Sequence, residues 1–402
     1  MARKERKASR GRLRAAQLQD ARQVTLPSSA DVCIIGGGAA GLTAAITAAQ
    51  RGASVAVLEC APICGRTILS TGNGRCNLVN TKLDPSLYND PRFVADATGN
   101  SWLDDVRTFF FESGLVWEEE SEGRCYPLSR QAASVRNVLI ARARRTGALL
   151  APARTTHKVK RDGKGFAVTF AEEWQGGEQA TLRAACVVVA TGGGVSSTCE
   201  GMGLISTPFE PMLCPLACEG LGLSELDGRR AQAQIALMRN GREVTEQRGE
   251  VLFRAYGLSG IAVFNLSRFA QPGDNLVLDL LPGIDYRKAL SLSEHTPDGL
   301  LDPVVAQALT NATGSVADAV SMAKNLRYSV LGATEIERAQ VRRGGLQMKQ
   351  FDSATLEATV APGLFACGEA LDVDGPCGGY NLAWAWKSGM VAGASAAERS
   401  RA

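Results

Sequence analysis

Residues 31–59 constrain this chain more than any other stretch. They read Asp31-Val32-Cys33-Ile34-Ile35, then Gly36-Gly37-Gly38-Ala39-Ala40-Gly41, then a run of small residues, then Val55-Ala56-Val57-Leu58-Glu59. A buried strand, a G-x-G-x-x-G turn, a helix and a second strand ending in an acid form a nucleotide-binding βαβ unit. Gly36 permits the tight turn, Gly38 lets the backbone approach a pyrophosphate, and Gly41 lets the helix pack closely on the sheet. The helix then offers unpaired N–H groups and a partial positive charge to the phosphates. Glu59 can accept hydrogen bonds from a ribose diol.

A chain of 402 residues is too long for one small core and implies two or three domains. No apolar run approaches the roughly 18 residues that cross a bilayer, so no membrane partner is expected. The basic first 25 residues lack the apolar segment of a secretory signal. Eleven scattered cysteines read as reduced thiols in a cytoplasmic protein. Neither Cys60-x3-Cys64 nor Cys214-x3-Cys218 has zinc spacing, and with only His157 and His295 no metal is expected. Residues 1–25 hold Arg3, Lys4, Arg6, Lys7, Arg10, Arg12, Arg14 and Arg22 against Glu5 and Asp20. Such a run reads first as a solvated, poorly ordered tail and second as an arm that contacts RNA.

Apolar spacing predicts helices over 101–113 and 131–145, the latter capped by Ser129. Alternation predicts strands over 155–160 and 166–170, joined by Asp162-Gly163-Lys164-Gly165 as a hairpin. Val187–Ala190 reads as a buried strand running into Thr191-Gly192-Gly193-Gly194. After about residue 205 the texture changes to short alternating strands with prolines, followed by a helical stretch over 302–324. Nucleotide-fold texture resumes near Gly344, with a strand ending in Gly368-Glu369 and a helix over 380–392. The expected organisation is a tail (1–25), a nucleotide domain in two parts (26–204 and 336–402), and an inserted substrate or cap domain (205–335) that is β-rich with a helical portion.

The later segments favour FAD over NAD. The ribityl chain and isoalloxazine of FAD need holding far from the first βαβ unit. Thr191-Gly192 and Gly368-Glu369 end strands that can do this. The start of the last helix, Gly379-Tyr380-Asn381-Leu382, can present N–H dipoles to the flavin edge where negative charge gathers on reduction.

The loop Gly65-Arg66-Thr67-Ile68-Leu69-Ser70-Thr71-Gly72-Asn73-Gly74-Arg75-Cys76-Asn77-Leu78-Val79-Asn80 resembles the signature of the BaiN/RdsA-type flavoproteins. So do Gly363–Gly389, with Gly368-Glu369 and Gly378-Gly379-Tyr380-Asn381-Leu382, and Gly249–Phe253 and Tyr256–Gly260. The resemblance implies an α/β fold: a discontinuous Rossmann-like FAD domain of the glutathione-reductase type, with an insert, and noncovalent FAD. The expected cofactor contacts are Gly36, Gly38, Ala39, Ala40, Gly41 and Glu59; Arg66, Gly74, Arg75, Cys76 and Asn77 in the loop; Val159; Thr191 and Gly192; and Gly368, Glu369, Gly379, Tyr380, Asn381 and Leu382. The sequence departs from the family pattern at Thr67, where Lys is usual, and at Arg254-Ala255, Ile261 and Arg342-Arg343. The Gly375–Trp386 segment is more similar to the bile-acid-reductase branch than to the ribosomal branch.

The chemistry implied is reduction of an electron-poor C=C bond in a small enone, bile-acid or steroid-like substrate. NAD(P)H would be a transient reductant, since no second complete glycine fingerprint follows residue 41. Cys76, Tyr256 and Tyr380 are the candidate proton donors, and Arg75 either places charge near the cofactor or forms a structural ion pair. The alternatives are a uridine C5=C6 reductase acting on ribosomal RNA and an aminoacetone-type amine oxidase.

Overall fold

The structure, a computed structural model, describes residues 2–175, 178–193, 199, 201–293, 296–339 and 341–402, without the side chains of 2–10 and 338. Gly194 and His295 lie outside the described residues. The chain divides into two compact units, residues 1–210 with 343–402, and residues 211–342. The changes of texture near 205 and 335 thus lie a few residues before the points where the chain passes from one unit to the other.

In the first unit, the strands Leu149–Ala151, Val55–Leu58, Ser29–Ile35, Gln179–Val189, Gly165–Glu172 and Arg154–Asp162 lie side by side in that order. The first four are parallel neighbours; the last two form the expected hairpin, antiparallel to each other, and Gly165–Glu172 is also antiparallel to Gln179–Val189. The long strand Gln179–Val189 serves two partners along one edge. Its early residues pair with Gly165–Glu172, and Val187, Val188 and Val189 pair in parallel with Leu364–Ala366. Strands buried on both faces need continuous apolar runs, and Val32–Ile35 and Cys186–Val189 supply them.

The glycine-turn helix Ala39–Gln50 packs against the closing helix Tyr380–Arg399, which runs past the expected end at Ala392. Small residues make this contact close. A methyl group on Gly389 would stand 2.5 Å from the Ala40 carbonyl oxygen, and one on Gly393 would run into that of Ala44.

The first 25 residues are corrected from a disordered tail to a helix, Ala2–Arg22. Ala, Arg, Lys and Gln are strong helix formers, and the end of the helix is fastened. Buried Arg154 donates to the carbonyl oxygens of Ala21 (3.4 Å) and Val24 (2.6 Å) while pairing with Glu172 (2.9 Å). The helix Ala132–Arg145 starts at Gln131 with no side-chain cap. Ser129 Oγ instead accepts from the Gln131 N–H at 3.3 Å, outside the helix, and donates to Ser134 Oγ.

The second unit is a closed barrel of Leu216–Gly220, Gly257–Ser259, Arg242–Arg254, Arg230–Arg239, Asn275–Asp279 and Leu326–Ala333. Alternation along these strands sends Ile235, Leu237, Val251, Phe253, Leu276, Leu278 and Tyr328 inward. Each such side chain contributes roughly 1.5–3 kcal/mol of burial. The predicted helical stretch over 302–324 is two helices, Pro303–Thr313 and Val316–Ala323, because Gly314 takes a left-handed conformation between them.

Candidate functional site

Four parallel strands of the first unit end on one edge. Ile35 pairs with both Leu58 and Val189, and Ala366 pairs with Val189. The segments that follow these residues are therefore neighbours: the glycine turn, Glu59, Ala190–Gly192 and Cys367–Glu369. Ligands of parallel sheets bind beyond such carboxyl ends.

The turn is tight because its parts touch. A methyl group on Gly36 would run into the carbonyl oxygen of Ala190, and one on Gly41 into that of Gly36. At Gly38 the nearest atom to an added methyl would be Thr67 Oγ1 at 3.4 Å, so this side of the turn is comparatively open. Ala39 and Ala40 begin the helix behind it, and no acidic residue in its first turn cancels the positive end of the dipole. Glu59 is fixed through both oxygens, Oε2 accepting from the Gly37 N–H (2.6 Å) and Oε1 from that of Ala61 (2.7 Å).

The C-terminal part closes the same edge. Gly368 has a φ of +62°, and a methyl group on it would stand 2.8 Å from Ala40 Cβ. Its N–H donates to Ser388 Oγ (2.9 Å), and its carbonyl accepts from Trp384 Nε1 (3.1 Å). The closing helix thus sets the position of Gly368-Glu369 beside the start of the glycine-turn helix. Sequence reasoning did not single out Ser388, Trp384, Gly389 or Gly393 for this. The four-residue spacing of the two glycines was the readable signal.

The Gly65–Asn80 loop owes its path to left-handed residues. Gly72, Asn73, Gly74 and Cys76 have φ values of +53°, +55°, +83° and +57°. Glycine enters that region freely and asparagine tolerates it. Cys76 costs about 1–2 kcal/mol there, offset in part by its N–H bond to the Thr71 carbonyl (3.0 Å). The loop is tied to the last helix. Trp386 Nε1 donates to the Leu78 carbonyl (2.7 Å), and Asn80 Nδ2 to that of Gly378 (2.9 Å).

Among the described residues of the first unit, three buried polar atoms have no hydrogen-bond partner: Thr156 Oγ1 on the hairpin, and Thr191 Oγ1 and Asn77 Oδ1, the two that test whether a cofactor fits. Such a group left unpaired costs about 1–3 kcal/mol. Thr191 follows the residue that abuts Gly36, and a methyl group on Gly379 would stand 2.9 Å from Asn77 Oδ1. One orphan thus lies by the glycine turn and the other by the start of the closing helix, as an extended dinucleotide such as the expected FAD requires. Gly192 follows Thr191 with a φ of +61°.

The remaining candidates have various places. Arg75 is held by Glu120 (2.6 Å) and lies over the Tyr126 ring (4.2 Å to the ring centre), a structural pairing. Arg66 is exposed just before a short helical turn that starts at Thr67 and is broken at Thr71. Val159 is buried in the hairpin, paired with Val168; the backbone that meets Glu59 is that of Ala151, whose carbonyl accepts from the Glu59 N–H (3.1 Å), and of Arg154, whose N–H donates to the Glu59 carbonyl (2.8 Å). Asn381 directs its amide into the Gly375–Pro376 loop (2.8–3.1 Å), and Leu382 packs on the core.

Among the proposed donors, Cys76 is fully buried, and burial pushes its thiol up to about 11. Tyr380 donates from its hydroxyl to the Lys82 carbonyl (3.3 Å), and burial, with Asp84 and Glu122 adding to it, raises its pKa. Tyr256 belongs to the second unit, where its carbonyl accepts from the Cys218 N–H (3.0 Å). A cleft of about 590 Å³ lies elsewhere in the first unit, against Arg22, Leu26, Arg154, Phe170 and Trp174 at the root of the opening helix.

Comparison with known proteins matches residues 30–237 and 298–395 to the HI0933-like protein Rossmann domain, and 210–317 to the HI0933-like protein barrel and H2TH domain. The chain is 32% identical to the 3-dehydro-bile acid delta(4,6)-reductase of Clostridium scindens, over 91% of this chain and 98% of that one. It is 28% identical to the ribosomal RNA dihydrouridine synthase of Escherichia coli, over 89% and 96%. The Haemophilus influenzae protein of the same name matches at 28% over 88% and 95%.

Proposed function

This chain belongs to the HI0933-like family, and we propose that it is an FAD-dependent oxidoreductase that reduces a C=C bond conjugated to a carbonyl. The observation that carries the reading is the convergence on one sheet edge of the glycine turn, Glu59, Thr191 and Gly368-Glu369. Bound FAD would supply hydride to the β-carbon of the substrate. The chain's own residues bind and orient. The Gly36–Gly38 turn and the helix behind it would hold the pyrophosphate, and Glu59 the adenosine ribose. Thr191 Oγ1 and Asn77 Oδ1 would gain the partners they lack. The start of the closing helix at Gly379-Tyr380 would face the flavin carbonyl edge with its positive end.

Reduction also needs a proton at the α-carbon or the enolate oxygen. Donation from Cys76 would leave a buried thiolate, which its surroundings disfavour. In the first unit the reading keeps Tyr380, whose hydroxyl stays protonated at neutral pH and would turn from the Lys82 carbonyl to the substrate. NAD(P)H is the proposed reductant.

A bile-acid-like enone is the preferred substrate because the 32% identical relative acts on a 3-dehydro-bile acid. The two dihydrouridine synthases support a second reading, the uridine C5=C6 bond of ribosomal RNA, which is likewise conjugated to a carbonyl. Anaerobic titration of the purified protein tests both. NADH or NADPH should bleach a bound flavin, and a 3-oxo-Δ4,6 bile acid should restore the oxidised spectrum with formation of the saturated product. Reoxidation by unmodified ribosomal RNA alone would select the second reading. A colourless protein that takes up no added FAD would overturn the proposal.

A further inference from the structure

The opening helix is unlike the rest of the chain. Residues 1–22 hold eight Lys and Arg against two acids, a net charge of +6 in a chain whose total is +3, so the remaining residues are net −3. The HI0933-like match begins only at residue 30, so the segment lies outside the family's Rossmann and barrel domains. Its helix is joined to the first unit at two points rather than trailing free. Arg14 meets Glu173 just past the hairpin, and Arg154 grips the carbonyl oxygens of Ala21 and Val24. Between and before these points Arg12, Leu13, Ala15 and Ala16 are exposed.

We infer that Ala2–Arg22 is an electrostatic docking element for the phosphate backbone of a nucleic acid. The charge calls for a polyanion. The composition decides between a nucleic acid and an anionic membrane. A helix that lies in a membrane interface needs a broad apolar face. The only apolar side chains of this one larger than alanine are Leu13 and Leu18, five residues apart. Phosphate contacts, by contrast, need only Lys and Arg on a fixed scaffold. The cleft at the root of the helix extends the basic surface with Arg22, beside Glu172 and a Trp174 ring over which Arg154 already lies (4.9 Å to the ring centre). The inference goes beyond the proposed reaction and does not depend on its substrate.

The test is binding by the full-length, flavin-loaded protein to three probes: a structured ribosomal RNA fragment, a DNA duplex, and vesicles containing phosphatidylglycerol. The salt dependence of each is measured. The wild type should bind nucleic acid, with affinity falling on the order of a hundredfold between about 50 and 200 mM salt, as several phosphate contacts require. Preference between RNA and DNA identifies the source of the phosphates. A variant with Arg3, Lys4, Arg6, Lys7, Arg10 and Arg12 all changed to Gln keeps helix propensity. It should bind at least about tenfold more weakly with a flatter salt slope, while flavin content and reduction rate stay at wild-type values. The inference fails if the wild type binds neither nucleic acid, if the variant binds as tightly as the wild type, or if only the vesicles are bound.

Discussion

Gly37 and Glu59 are joined by a 2.6 Å hydrogen bond from the turn's own N–H to the carboxylate at the end of the next strand. The acid that would take the ribose is thus fixed by the turn that would take the phosphates. Glu59→Gln replaces one carboxylate oxygen with an NH₂ group, which cannot accept from a backbone N–H. A hydrogen bond to a charged group is worth about 1.5–3 kcal/mol. FAD affinity should therefore fall about 10- to 100-fold, read by fluorescence titration of the apoprotein. An unchanged dissociation constant would separate Glu59 from the cofactor.

Gly368→Ala sets a side chain in a left-handed conformation and brings it within 2.8 Å of Ala40 Cβ. The conformation costs about 1–2 kcal/mol and the overpacking about 1–3 kcal/mol. Thermal unfolding should begin several degrees lower, and the protein should purify with less flavin. Gly314→Ala is the control. It carries the same backbone penalty at φ +75° with nothing within 4 Å of the new methyl, and it should leave flavin content alone.

Much of this site was legible because its determinants are local. Gly36, Gly38, Gly41 and Glu59 lie within one βαβ unit, where spacing along the chain fixes spacing in space. Gly368-Glu369 was legible as a strand end. Its contact with Ala40 was not, because no periodicity encodes which helices meet. Arg75 shows the converse limit. A basic residue in a glycine-rich loop invites a cofactor role, yet Glu120 and Tyr126, far along the chain, engage it. The opening helix was not legible because its charge run argues for a solvated tail, while Arg154, which fastens it, lies on a hairpin over a hundred residues later.

Tyr380→Phe removes a hydroxyl and leaves the Tyr380 carbonyl to accept from Tyr88 as before (2.7 Å). If Tyr380 delivers the proton, reoxidation of the reduced flavin by the enone should slow by about 10²–10⁴-fold, with reduction by NAD(P)H unaffected. Cys76→Ser should change the same step far less. Stopped-flow measurement of the two half-reactions separates these outcomes.

In the barrel, Arg239 binds both oxygens of buried Asp274 at 2.8 Å, and this hydrogen bonding holds the carboxyl below the usual aspartate range. A carboxyl depressed in the folded state contributes stability that is present above its unfolded pKa of about 3.9 and is lost as pH falls through the folded value. Asp274→Asn should therefore destabilise the barrel near neutrality. The gap between variant and wild type should narrow as pH drops below about 4. Melting curves from pH 7 to pH 3 would show this, and a constant gap would contradict it.

The two-partner strand Gln179–Val189 also governs when the protein can be finished. During synthesis its early half can zip onto the hairpin at once, but the stretch at Val187–Val189 waits for Leu364–Ala366, more than 170 residues later. Until those residues leave the ribosome, one margin of the sheet is raw, an invitation to aggregation. The nascent chain must build its barrel while its nucleotide cradle is still half made, so any cofactor can be captured securely only at the close of translation.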